Sequence, residues 1–495
     1  MIGSGPNGLV AAATLARAGW RVRVLESQPR PGGALYSLET TLPSYIHDVG
    51  AAFFPFAHVS PAFQQLRLDE VGLEWRGGVY ESAHPAPDGT CASIARDIDR
   101  AAQSFGQDGD AWRSIARWQA NMGQRLADAL LAPLPALGPA LRLGIMNLVR
   151  FGLAGMSTAA GYSRRHFTTE AARRVIPGLS LHVDLGPEDF SSAPLGLVLA
   201  LLAAGHGFQV PVGGARSITL AILNRFEQHG GVLQLNTRVQ SIVVRDRKAV
   251  AVRTEQGDEI PAAKAILADV GAPALYLRML PEEYVTGWVR RSMGRFRYGW
   301  GTFKMDWALA GPTPWSAEQA RQAAVVHAGD SIDDLIRFTN EARAGQLPSN
   351  PYLVIGQQSL LDPTRAPEGG HTLWAYSRVP SQLPEGWMAH KEAFADRIEE
   401  RIEGLAPGFR QLIRGRAIFA PDDLERMNEN LVGGDLGGGS AHFSHQLFWR
   451  PVFPYFRYGT PVQGVYLCSA SAHPGAGVHG ACGYNAARVV LAENQ

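Results

Sequence analysis

The sequence of 495 residues predicts an α/β protein whose core units are dispersed in three blocks, separated by a mainly helical insertion and a mixed strand-and-helix stretch. Three observations predict this. A glycine turn at Gly3 to Gly8 opens a helical pattern and is followed by a short alternating strand; a second turn at Pro211 to Gly214 opens another helix; and a glycine-rich turn near Gly480 launches a last one. At roughly 150 residues per domain, the length suits about three domains or two large interleaved ones.

In chain order, Pro6 to Arg17 reads as a helix rich in alanine and leucine that stops at Gly19, and Arg21 to Glu26 as the next strand. Asp99 to Ala204 reads as mainly helical, divided by Pro133, Pro135 and Pro139. After Gly214, a helix with Ile218, Ile222 and Phe226 on one face runs to Gly230 and Gly231. Val232 to Leu235, Val239 to Arg245 and Ala249 to Thr254 are then spaced like an antiparallel meander, and Ala265 to Ala268 reads as a buried strand. From Pro273 to Pro454, aromatic-rich strands alternate with helices such as Lys391 to Glu403.

The charge balance, 46 basic against 45 acidic residues, lacks the footprint of a dedicated nucleic-acid binder. Hydrophobic residues are 46% of the chain and charged residues 18%, below the roughly 25% charged of average domains, which suits a large core or an apolar ligand cavity and excludes disorder as the main state. Cys91, Cys468 and Cys482 share no CxxC spacing, so neither a disulfide framework nor a zinc site is expected, and a reducing cytoplasm is. No signal peptide opens the chain, and the apolar run Ser191 to Ala204 is short of the roughly 18 residues that span a bilayer.

Gly3, Gly5 and Gly8, with Pro6 and Asn7 between them, spell GxGxxG directly before a helix, the pattern that lets backbone approach a dinucleotide pyrophosphate. Glu26, at the end of the next strand, can accept hydrogen bonds from both hydroxyls of an adenosine ribose and would repel a 2'-phosphate. Only Met1 and Ile2 precede Gly3, where a parallel strand normally has about five residues; further apolar residues upstream in the natural product are therefore expected. Arg30, Pro31, Gly32 and Gly33 then supply an RxGG turn beyond the acidic strand end.

The combination of GxGxxG, acid and RxGG resembles the two-dinucleotide-binding-domain flavoproteins, and more closely the phytoene desaturase-like family of FAD-dependent oxidoreductases. The resemblance covers essentially the whole chain. It is carried further by Leu42 to Gly50 (LPSYIHDVG), by Pro211 to Gly214, by Gly433 to Gly439, and above all by Leu467 to Asn485 (LCSASAHPGAGVHGACGYN), which is similar to the closing flavin motif of that family. It implies a Rossmann-like FAD domain with a mixed-sheet plus helical substrate domain, divided as 1–98, 205–272 and 455–495 for FAD, with 99–204 as the helical cap and 273–454 as the substrate domain.

The resemblance also implies FAD as cofactor and contacts to it from Gly3, Gly5, Pro6, Asn7, Gly8, Glu26 and Ser27. Arg30, Gly32, Gly33 and Ala34 follow along the diphosphate and ribityl chain, Val239 at the adenine, and Ala470, Gly477 and Val478 at the flavin. Ala476 and Ser469 stand where relatives often have glycine. The helix starting near Gly480 would aim its positive end, worth at most about 2 kcal/mol, at the flavin. No catalytic side chain is assigned. The implied reaction removes hydride from carbon to flavin N5, desaturating an apolar polyene or isoprenoid-like substrate, with oxygen or a quinone as electron acceptor; a redox-neutral isomerase or saturase, or a lipid-binding escort protein, are the alternatives, and amine oxidation is a third, disfavoured by the desaturase-like closing loop.

His473 and His479 flank glycines with no cysteine or carboxylate spaced to complete a metal site, and no metal is expected. His47 and Asp48 read either as an acid and base pair or as a strand-turn pair satisfying backbone groups. Leu126 to Met156, strongly apolar with Arg125, Arg142 and Arg150 at intervals, reads either as peripheral membrane contact or as core helices over the cavity.

Overall fold

The computed structural model describes residues 1–494. Its first layer is a parallel sheet. Arg23–Leu25 pairs with Val232–Gln234, and Ile266–Ala268 pairs with Val465–Leu467. Ile2 bridges the two pairs, in parallel with both Leu25 and Ala268, so it occupies the central strand position. The helices Pro6–Arg17, Ala215–Gln228 and Ala481–Glu493 are the ones the three glycine turns predict, and Pro6–Arg17 packs against both of the others. The first of them is buried along nearly its whole length, from Asn7 to Ala16, because small alanines let it sit against both neighbours.

One strand expectation is corrected. Val232–Gln234 does not begin an antiparallel meander but joins the parallel sheet beside Arg23–Leu25. The meander is made of Val239–Arg245, Lys248–Thr254 and Glu259–Pro261 instead. The strand before the helix Ala215–Gln228, Val210–Pro211, pairs antiparallel with Trp75–Arg76 outside this sheet, and Val232–Gln234 instead adds to the side of Arg23–Leu25 that Ile2 leaves open.

The second layer is a seven-stranded sheet in the order Ile413–Phe419, Gly301–Leu309, His371–Val379, Leu353–Gly356, Ala323–Ala328, Tyr80–Pro85, Cys91–Ile94. Its last two strands lie within the stretch 1–98 that the resemblance allots to the FAD domain. One face of this sheet packs on Lys391–Leu405 through Phe394, Ile398 and Ile402. The other faces the helical stretch between Ile98 and Gly205, whose helix Ala193–Gly205 is almost wholly buried. Burial on all sides explains why that segment is uniformly apolar. No described helix is long and apolar enough to cross a membrane.

Two carboxylates pin the layers together. Arg365, fully buried, donates Nη1 to Asp48 Oδ2 at 3.0 Å and Nε to Asp362 Oδ2 at 2.8 Å. Asp48 Oδ1 accepts the Ala215 amide at 2.8 Å and Asp362 Oδ2 accepts the Gly213 amide at 2.8 Å, which together hold the Pro211–Gly214 turn. Asp48 therefore does what the strand-turn reading asks of it. His47 meets Thr41 Oγ1 at 2.8 Å, and burial pushes its pKa down to about 4.

Candidate functional site

A cavity of about 750 Å³ runs from the ends of the parallel strands to the face of the seven-stranded sheet. At its first end the strand Ile266–Ala268 delivers Asp269, whose Oδ2 accepts the Gly8 amide at 2.8 Å. The three glycines of the fingerprint converge on this residue. A Cβ on Gly5 would lie 2.5 Å from Asp269 Oδ2, and one on Gly8 would lie 2.6 Å from the Gly3 carbonyl oxygen and 2.9 Å from Asp269 Cβ. Any side chain at either position would force the turn away from the neighbouring strand. Burial pushes the Asp269 carboxyl up to about 7 against the pull of the Gly8 hydrogen bond, with the negative charge of Glu26 adding to the rise.

Glu26 is 6% exposed and ends its strand inside the cavity. Its Oε2 accepts the Ser4 amide at 2.8 Å and the Ser4 hydroxyl at 2.6 Å, and its Oε1 accepts the Gln28 amide at 2.9 Å. A carboxylate has lone pairs left after these bonds, so a vicinal diol can still be received at the same edge. Asn7 Oδ1 and Tyr36 Oη are buried without a hydrogen-bond partner, and both residues line the same cavity. Buried polar atoms of that kind ask for a ligand with polar groups of its own.

Of the residues singled out from sequence, Gly3, Gly5, Pro6, Asn7, Glu26 and Ser27 line this end. Arg30, Gly33, Ala34 and Val239 line it further along, and Ala470, Gly477 and Val478 line the middle. Gly8 and Gly32 do not reach the cavity surface: Gly8 is the helix-to-strand contact just described, and Gly32 packs on the Leu35 carbonyl and Thr219. Ser469 and Ala476, the departures from glycine, are themselves part of the lining.

The middle of the cavity is shaped by two anchors. Asp435 accepts the amides of Gly299, Gly437 and Gly439 at 3.0, 2.7 and 2.8 Å, which folds the glycine run Gly437–Gly439 around one carboxylate. Arg450, 2% exposed, donates to the carbonyls of Gly437, Ser440 and Ala470 and so ties that run to the closing loop. Behind the loop, Gly483 of the last helix meets Asn7 of the first: a Cβ on Gly483 would lie 1.8 Å from the Asn7 carbonyl oxygen. His479 Nδ1 accepts the Ala481 amide at 3.0 Å, and His473 Nε2 lies 3.0 Å from the Ala132 carbonyl; burial pushes both imidazoles down to about 4.

The far end was not legible in advance. Leu195, Leu199, Phe208, Val325 and Val354 make it apolar, and Trp300, Trp374, Tyr376, Arg378, Asp184 and His182 complete it. Trp374, Tyr376 and Arg378 alternate along His371–Val379, so they share one face of the sheet. That alternation was the available signal, although the face it selects depends on which layer covers the strand. His182 Nε2 lies 2.8 Å from His327 Nε2, and His327 stacks on His84 at 4.6 Å between ring centroids. Burial first, then the Arg378 charge, pushes His182 down to about 3, and burial takes His84 to about 3 as well.

Comparison with known proteins agrees with this geometry. The family described as flavin containing amine oxidoreductase matches residues 7–491. The chain is 31% identical over 292 residues to the pyridine nucleotide-disulfide oxidoreductase domain-containing protein 2 of Rattus norvegicus, a match covering 56% of this chain and 50% of that one, so it spans about half the length of that relative. It is 24% identical over 506 residues to the neurosporene-forming phytoene desaturase of Rhodobacter capsulatus, covering 97% of this chain and 90% of that one. An oxidoreductase structure from Methanosarcina mazei superposes with a TM-score of 0.65 at 15% identity, covering 99% of each chain, which shows a shared fold. The glycine cradle, the acceptor carboxylate and the unpartnered polar atoms of the cavity fit a flavin dinucleotide. The chain belongs to the flavin containing amine oxidoreductase family, and its cofactor is FAD.

Proposed function

We propose that this protein is an FAD-dependent desaturase or dehydrogenase that oxidises a carbon-carbon bond of a long apolar polyene or isoprenoid-like molecule. The observation that carries this reading is the continuity of one cavity from the dinucleotide cradle at Gly3–Glu26 to an apolar chamber walled by Leu195, Leu199, Phe208, Val325 and Val354. When bound, FAD supplies a hydride acceptor at N5. Gly3, Gly5 and Asn7 would hold the diphosphate against the start of Pro6–Arg17, Glu26 the ribose, and Val239 the adenine. Ala470, Gly477 and Val478 would flank the isoalloxazine.

The apolar walls bind the substrate chain and orient its carbon. His182 and His327 are neutral at physiological pH, so the chamber gains no charge from them. An allylic position is already activated, and the accompanying proton can pass to water. The relatives' names favour the substrate class: the phytoene desaturase of Rhodobacter capsulatus and a zeta-carotene desaturase of Myxococcus xanthus are aligned with nearly the whole chain. Oxygen or a quinone would reoxidise the reduced cofactor.

A lipid-soluble substrate also gives meaning to Leu137–Leu143 and Ile145–Gly155. Leu143 and Ala154 of these helices are buried, while Leu141 is 77% and Ile145 81% exposed, as are Leu137, Met146 and Met156 to lesser degree. No acidic residue occurs between Asp128 and Glu170, whereas Arg142, Arg150, Arg164 and Arg165 do. Arg164 pairs with Asp333 and Arg150 shares a surface pocket with Asp99 and Asp110, so it is the exposed apolar face itself that suits peripheral contact with a bilayer.

The test is anaerobic addition of phytoene to the purified flavoprotein while the visible flavin bands are followed. Bleaching supports the desaturase half-reaction. Bands that persist with phytoene bound would turn the reading toward a redox-neutral isomerase or a saturase, and a protein that takes up no flavin on reconstitution would turn it toward a lipid escort.

A further inference from the structure

The apolar end of the cavity contains one feature that a pure hydrocarbon does not need. Arg378 is 5% exposed and lines the chamber. Its Nη1 donates to Thr302 Oγ1 at 2.7 Å, and its Nη2 donates to the His182 carbonyl. Its Nε is buried with no hydrogen-bond partner, and among the described residues no carboxylate forms an ion pair with the guanidinium.

Two other buried arginines show that this is not simply how the fold treats the side chain. Arg174 and Arg450 also lack a carboxylate partner, but each uses Nε and both Nη atoms on backbone carbonyls. Arg378 alone of these three leaves a donor over and faces the cavity. Trp374, four residues away on the same face, adds a second buried donor without a partner, its Nε1, and the Tyr376 ring lies between them with the Arg378 Cζ 5.0 Å from its centroid.

The nearby carboxylates are otherwise engaged. Asp184 accepts the Ser440 hydroxyl at 2.6 Å and the Ala441 amide at 2.7 Å, and Asp435 holds the three glycine amides already described. A guanidinium does not deprotonate in a protein, so burial leaves it an unpaired cation in a chamber of low dielectric, a costly state unless an anion arrives.

We infer that Arg378 is a recognition site for a carboxylate, and that the substrate is a long apolar molecule ending in an acid group, with Arg378 Nε as the donor that receives it. A desolvated charge-assisted bond from the free Nε to a carboxylate is among the strongest a site can make. The walls accept the chain and the cation reads its end, so the acid group selects among apolar molecules of similar length. This inference rests on the reading of the chamber as the substrate site.

The experiment titrates the oxidised holoenzyme with geranylgeranoic acid and separately with its methyl ester, both transparent where the flavin absorbs, and follows the perturbation of the flavin bands. The acid is expected to bind about tenfold or more tighter than the ester, and Arg378→Met, which keeps the aliphatic bulk, is expected to abolish that preference, the acid losing more affinity than the ester. Arg378→Lys, which keeps the charge, is expected to restore part of it. Equal binding of acid and ester by the wild-type protein overturns the inference without any variant having to fold, as does a preference that survives Arg378→Met. If neither probe perturbs the flavin, the inference fails together with the substrate reading beneath it, whereas equal binding of both leaves that reading standing.

Discussion

Replacing Asp269 with asparagine separates the charge of this residue from its geometry. The amide oxygen of an asparagine can still accept the Gly8 hydrogen bond, now 2.8 Å long, but the side chain has no proton to lose. In the wild-type protein burial raises the carboxyl from 3.8 to about 7, a displacement worth on the order of 4 kcal/mol. An acid with a higher pKa folded than unfolded keeps its proton after the unfolded chain has released it. Its contribution is therefore full below about pH 4, is lost as pH rises to about 7, and is constant above that.

Of that contribution, about 3 kcal/mol falls between pH 5 and pH 8. The assay is urea unfolding of wild-type and Asp269→Asn protein at both pH values and one fixed FAD concentration. The variant should gain about 3 kcal/mol on the wild type in going from pH 5 to pH 8. The same substitution should tighten FAD at pH 8, because it removes a negative charge from the end of the cavity where the diphosphate is expected. Parallel pH profiles for the two proteins would refute the burial argument.

Three other outcomes are expected. Gly483→Ala places a Cβ where the Asn7 carbonyl now sits, 1.8 Å away, so the first and last helices must part, at a cost of about 1–3 kcal/mol, and flavin content and melting temperature should fall together; an unchanged ratio of flavin to protein absorbance would contradict this. Glu26→Ala strips the acceptor from the Ser4 amide, the Ser4 hydroxyl and the Gln28 amide, and FAD affinity measured by flavin fluorescence should drop about tenfold to a hundredfold. Leu141→Glu with Ile145→Glu should reduce co-sedimentation with phosphatidylglycerol vesicles by more than about tenfold, since each aliphatic side chain contributes roughly 1.5–3 kcal/mol when buried; sedimentation equal to wild type would remove the membrane reading.

Much of the cofactor end was legible in the chain because its information is local. Gly3, Gly5, Gly8 and Glu26 belong to one strand-helix-strand unit, and backbone geometry dictates which residue types such a unit tolerates. The HPG loop and the helix Ala481–Glu493 are likewise consecutive, so their order in sequence is their order in space. Even here the unit is incomplete by itself. Asp269, the residue the three glycines close on, arrives from a strand 261 residues away from Gly8, and no spacing within the fingerprint announces it.

What the sequence by itself determined is thus the α/β class, the glycine turns and the places where backbone must come close, because glycine spacing and hydrophobic period are short-range properties. What only the tertiary structure decided is which distant strands face one another. Val232–Gln234 reads from its spacing as the first run of a meander, and only its pairing with the distant Arg23–Leu25 makes it a parallel strand. Arg378, Trp374 and His182 look unremarkable where they stand in the chain; they become a chamber with an unpaired cation only when the helical stretch covers one face of the seven-stranded sheet. Burial and pairing are sums over neighbours from the whole chain, and no local pattern encodes them.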